Sequence, residues 1–115
     1  MPSLLHYFEQ LTTEGGHGNF LIIHLSENAY LQFASEKGSS KIYCEASKIP
    51  NSLNQVSGFM PLGWQDLPSE YHNNYSQTIH LSAYYSLNDL EELIHATTKI
   101  YGCTEKDYRY ELNLE

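Results

Sequence analysis

Cysteine and histidine are the residues of this 115-residue chain best suited to chemistry. A cysteine beside a histidine base makes a thiolate nucleophile. Cys44 stands in a segment that alternates like a strand, and His24 and His80 stand in two others. A sheet that set them side by side would assemble an enzyme or a small-ligand site. The same alternation groups Cys44 with Ile42 and Ala46 on an apolar face, where cysteine behaves as a small hydrophobe. Packing is therefore the expected role of Cys44, and Cys103, after a helix, is expected to be an exposed thiol. The six histidines, His6, His17, His24, His72, His80 and His95, are scattered. No two fall at the helical spacing of an H-E-x-x-H site, so no metal is expected. Gly15-Gly16-His17-Gly18 resembles a phosphate loop only on the surface. It leads into a strand, so no helix N-terminus would face an anion. Glu27 and Glu45 would need a shared apolar pocket to act as acid and base, and nothing in the pattern supplies one. No catalysis and no cofactor are expected.

Net charge narrows the partners. Fourteen acidic and six basic residues give −8. That balance argues against nucleic acid, whose binders cluster Lys and Arg, and against an anionic membrane surface. It permits a basic partner. Residues 1–115 read as one domain. There is no charged start followed by an apolar run, and no apolar stretch nears the ~20 residues of a membrane span. Pro2 replaces the glycine that myristoylation needs. Without C-x-x-C or zinc spacing, the two cysteines fit a reducing compartment, and a cytoplasmic location is expected. Asn74-Tyr75-Ser76 matches a glycosylation sequon but has no role without secretion.

The elements that must position these residues follow from periodicity. Ser3 is a candidate N-cap for a helix carrying Leu4, Leu5, Phe8 and Leu11, stopped by Gly15-Gly16. Phe20 to Leu25 is almost wholly apolar and reads as a buried strand. Ala29 to Ala34 alternates, with Leu31 and Phe33 against Tyr30 and Gln32. Lys41 to Ser47 sets Ile42, Cys44 and Ala46 against Tyr43 and Glu45. Short polar turns join the three, which predicts a β-meander. Pro50-Asn51-Ser52 breaks the pattern. Leu53, Val56, Phe59 and Met60 then predict a short helix, and Asp66-Leu67-Pro68-Ser69 an exposed loop. Asn74 to Leu81 predicts a fourth strand, with Tyr75, Gln77 and Ile79 opposed to Ser76, Thr78 and His80. Ser86 with Asp89 starts the strongest helix, carrying Leu87, Leu90, Leu93, Ile94 and Ile100, and Gly102 caps it. Tyr108, Tyr110, Leu112 and Leu114 alternate with Arg109, Glu111 and Asn113 in a final strand. The order is α-β-β-β-α-β-α-β, an α+β fold with an antiparallel sheet of about four to five strands and helices packed on one face.

Among ten tyrosines, Tyr30, Tyr43 and Tyr75 lie opposite or beside the apolar strand faces. An uncovered face of that kind would suit a second copy or a client segment. Trp64, the one tryptophan, either folds its loop back onto the core or anchors a partner.

Five short signatures sit at element boundaries: Tyr30-Leu31-Gln32-Phe33-Ala34, Glu45-Ala46-Ser47, Leu62-Gly63-Trp64, Asn74-Tyr75 and Ile100-Tyr101-Gly102. In order and approximate spacing they resemble the TY-Chap domains, relatives of type III secretion chaperones and of the YbjN proteins. That family has Tyr-Val-Gln-Phe-Ala, Glu-Ala-Val-Ser-Asn, Leu-Gly-Trp, Asn-Trp and Val-Tyr-Gly at these places. Two positions depart: the residue between Ala46 and Ser47 is missing, with Lys48 where Asn is expected, and Tyr75 stands for Trp. The resemblance covers nearly the whole chain. It implies a chaperone-like fold, no reaction and no cofactor, and a domain that holds a polypeptide, often as a homodimer. Tyr30, Gln32, Glu45, Trp64 and Tyr75 are the expected binding residues. A second reading is a toxin-neutralising immunity protein, also small and acidic. The third is the small-ligand binder or enzyme using Cys44 with His24 or His80.

Overall fold

Ser3 begins the first helix as its residue type predicts: its hydroxyl accepts from the His6 amide, and α1 runs Leu4–Thr13. The computed structural model describes residues 3–49, 53–66 and 73–115. The expected break at Pro50-Asn51-Ser52, the expected loop at Leu67-Pro68-Ser69 and His72 lie outside them. Leu4, Phe8 and Leu11 are buried on one side of α1, the stripe that docks a surface helix.

The end of α1 is held by a residue that reads as loop. Asn19 is buried, and its Nδ2 donates to the carbonyls of Leu11 and Glu14 at 2.9 and 2.6 Å. Its Oδ1 accepts from the amides of Gly16 and Glu115. One side chain thus satisfies helix carbonyls that would otherwise lack donors. The glycine pair makes room for it: a Cβ on Gly15 would lie 2.2 Å from Asn19 Oδ1, and one on Gly16 2.4 Å from the Glu115 carbonyl oxygen.

Three strands follow as a meander: β1 (Asn19–His24), β2 (Tyr30–Ser35) and β3 (Lys41–Ala46), each antiparallel to the next. Then come α2 (Leu53–Phe59) and a 3-10 turn over Met60–Leu62. Met60, expected on the apolar side of the helix, is exposed because the helix tightens there. Gly63 ends the turn with φ 89°, a left-handed conformation that glycine adopts without penalty. The chain reverses and drives Trp64 into the core. β4 (Tyr75–His80) pairs with β3, and α3 (Leu87–Ile100) opens on a capping box between Ser86 and Asp89. β5 (Arg109–Asn113) pairs antiparallel with β1.

The sheet order is β4-β3-β2-β1-β5. The architecture is α+β, with the helices on one face of a five-stranded antiparallel sheet. Leu21, Ile23, Leu31, Phe33, Ile42, Cys44, Ala46, Tyr75 and Ile79 form one core with Leu4, Phe8, Leu11, Phe59, Leu90 and Ile94 from the helices. No described element covers the other face. β1 corrects its expectation as a wholly buried strand. Its burial alternates, with Leu21 and Ile23 inward and Phe20, Ile22 and His24 half-buried on the open side. No described helix is long and apolar enough to cross a membrane.

Candidate functional site

The open sheet face brings together residues from all five strands by register alone. Glu111 stands opposite Ile22, Ile22 opposite Gln32, Gln32 opposite Glu45 and Glu45 opposite Ser76. The adjacent row carries Phe20, Ala34, Tyr43 and Thr78. On the other side, His24 faces Tyr30. Apolar and aromatic groups therefore alternate with polar ones across neighbouring strands.

Asn74 fixes part of this surface. Its Nδ2 donates to the Tyr30 hydroxyl at 2.9 Å and to Glu45 Oε1 at 3.0 Å. These bonds tie β2 and β3 to the start of β4 and hold Tyr30 and Glu45 in fixed orientations. Beside them, Lys48 Nζ donates to Asp66 at 2.6 Å and to Asn73 at 3.3 Å, and lies 5.3 Å from the centre of the Tyr75 ring. Gln65 and Ser76 exchange two backbone bonds of 2.9 Å. The chain on either side of residues 67–72 is thus anchored next to the open face.

Tyr43 is the most exposed aromatic on this face, at 37%. Partial burial, and then the neighbouring Glu45 carboxylate, push its hydroxyl above the usual tyrosine range. It stays a neutral donor at ordinary pH. At the same end, a shallow depression of about 340 Å³ runs between Tyr43, Lys41, Glu36 and His17. His17 and Glu36 are 2.8 Å apart across its rim.

Of the expected binding residues, the structure brings together Tyr30, Gln32 and Glu45. It places Trp64 and Tyr75 elsewhere. Trp64 is 1% exposed, packs against Phe59 at 5.6 Å and donates from Nε1 to Thr97 Oγ1 at 3.0 Å. Of its two open readings, the core is where it lies. Tyr75 is 4% exposed and faces the helices, with its ring 4.9 Å from Phe59. Register explains it, since Tyr75 pairs with core-facing Ala46. Phe20 and Ile22 join the surface instead, and Asn74 acts through its side chain.

The chemical alternatives are set apart by the sheet. Cys44 faces the core, whereas His24 and His80 face the other way, so neither histidine reaches its thiol. Burial pushes the Cys44 thiol far above its ordinary range, which disfavours the thiolate a nucleophile needs. Two amides of the glycine loop are in use: Gly16 donates to Asn19 and Gly18 to the Glu115 carbonyl. Among the described residues, no three His, Cys, Asp or Glu side chains gather as metal ligands would. His24 instead meets Glu111 at 3.1 Å, and His95 meets the Tyr108 hydroxyl at 2.9 Å. No protein-family model, curated protein or solved structure matches this chain.

Proposed function

We propose that this chain is a non-enzymatic, cytoplasmic protein-binding module that holds a polypeptide partner on the open face of its sheet. The carrying observation is composition by face. Phe20, Ile22, Tyr30 and Tyr43 remain half-buried or exposed on a surface that no described element covers. Antiparallel sheets that meet only water present mostly polar residues there. Gln32, Glu45 and Asn74 lie between the apolar groups and supply oriented hydrogen-bonding atoms, the mixture typical of non-obligate interfaces. The ordered signatures point the same way, since they resemble chaperone-like domains of the TY-Chap type, and a chaperone-like fold is part of the proposal. The net charge of −8 favours a basic segment as client. It equally suits an immunity protein that neutralises a basic toxin. A toxin gene beside this one would favour that second reading.

The test is affinity capture with the tagged full chain, comparing wild type with Tyr43→Arg, Gln32→Arg and an off-face control, His6→Ala. Capture of a discrete protein by wild type and His6→Ala, lost in both face variants, supports the proposal. Retention of that protein by the face variants refutes it.

A further inference from the structure

The two edges of the sheet are finished differently. On β4, the outward backbone groups of Ser76 are taken by Gln65. On β5, the Gly18 amide donates to the Glu115 carbonyl at 3.0 Å. That bond sets the parity of the ladder: Arg109, Glu111 and Asn113 turn their backbone groups to β1, and Tyr110 and Leu112 turn theirs outward. Among the described residues nothing pairs with them. The edge has neither proline nor bulge nor inward charge, and its two charged residues, Arg109 and Glu111, are of opposite sign. Its helix side carries half-buried Tyr110 and Leu112, and Tyr110 stacks on Tyr7 of α1 with ring centres 4.2 Å apart.

We propose that this edge pairs with β5 of a second copy, antiparallel about a two-fold axis through Tyr110, to make one continuous ten-stranded sheet. Charge selects the partner and the register. With the axis at Tyr110, the two Tyr110 residues exchange both backbone hydrogen bonds. Arg109 of each copy then faces Glu111 of the other, twice by symmetry. With the axis at Glu111, the two Glu111 carboxylates would face each other, which opposes pairing. With the axis at Leu112, Glu111 faces only Asn113, and Arg109 faces Glu115 beyond the strand. The side chains are free for the first register: Arg109 has no ion pair among the described residues, and Glu111 uses only Oε1, toward His24. The second copy would also cover the apolar rim of Tyr7, Tyr110 and Leu112. The backbone groups that pair here point away from the rest of the sheet, while Arg109 and Glu111 border the open face, so Tyr43→Arg serves to tell the two proposals apart.

Sedimentation equilibrium of the full chain, from micromolar to tenths of millimolar, tests the edge. Wild type is expected to be dimeric at the upper concentrations. Arg109→Glu and Glu111→Arg each weaken the dimer about tenfold by opposing like charges twice. The double reversal R109E/E111R restores it, and a mixture of the two single variants pairs more tightly than either alone. Circular dichroism melting confirms that each variant folds. A monomeric wild type overturns the proposal, as does a double reversal no tighter than the singles. A dimer insensitive to both single reversals but lost in Tyr43→Arg overturns it too, by moving self-association to the open face.

Discussion

Tyr75 and Tyr43 sit on neighbouring strands of one sheet and face opposite ways. Tyr75, 4% exposed, packs its ring among Phe59 and the helices, with the Lys48 ammonium on it. Tyr43, 37% exposed, stands beside Glu45 on the uncovered side. The residue type is the same and the register decides the role. The helix-covered face is where stability resides, because it removes a continuous apolar surface from water. The open face, which no described element covers, adds little to stability.

The sharpest way to break this contrast is with the two thiols. Cys44 is fully buried and Cys103 only partly so. Cys44 should react with a maleimide only through global unfolding, at least about 10³-fold more slowly than Cys103. Mass-resolved labelling kinetics give the ratio, and equal rates would mean that the covered face opens readily. Next in size, Trp64→Ala should cost about 3–5 kcal/mol in urea denaturation, since it leaves a cavity and removes the bond from Nε1 to Thr97, whose hydroxyl keeps its bond to the Leu93 carbonyl. Asn74→Ala should cost about 1 kcal/mol, removing its bonds to Tyr30 and Glu45 without opening the core.

Alkali offers a smaller test. Burial, followed by Glu105 and other neighbouring groups, pushes Tyr110 up to about 12, and burial also raises Tyr101 and Tyr108. An unfolded tyrosine ionises near pH 10, at about its ordinary value. Between about pH 10 and 12 the unfolded chain therefore binds fewer protons than the folded one. Stability is fully present below pH 10 and falls as pH rises through that window. Tyr110→Phe should flatten this slope in denaturation curves taken from pH 9 to 11.5. Smallest of all, Tyr43→Ala should change stability by no more than about 0.5 kcal/mol, measured in the same way. A large loss there would erase the distinction between the faces.

Much of this layout can be read from local pattern. The capping pair Ser86 and Asp89, the alternation through Leu31 and Phe33, and the short turns give the element order without any knowledge of contacts. The open face is harder to read. Phe20 and Ile22 look buried because an apolar run carries no label for which side a helix will cover. Tyr75 groups with Ile79 by alternation, yet its place next to Asn74 in a signature pulls it toward the site. The bonds from Asn74 to Tyr30 and Glu45 join residues far apart in sequence and exist only once the register is set. Asn19 reads as an ordinary loop residue because its four partners come from the end of α1, the glycine turn and Glu115.

The pairing of β1 with β5 has a consequence for synthesis. His24 and Arg109 meet across the ladder although about 85 residues separate them. At about 5–20 residues per second, a ribosome needs roughly 4–17 s to bridge that interval. Throughout it, the outward amides and carbonyls of Phe20, Ile22 and His24 have no strand beside them. The newborn chain therefore carries a bare, β-branched edge at Phe20-Leu21-Ile22-Ile23, the kind of segment that templates aggregation. Completing β5 closes that hazard, and a chain cut short before Arg109 would keep it open for life.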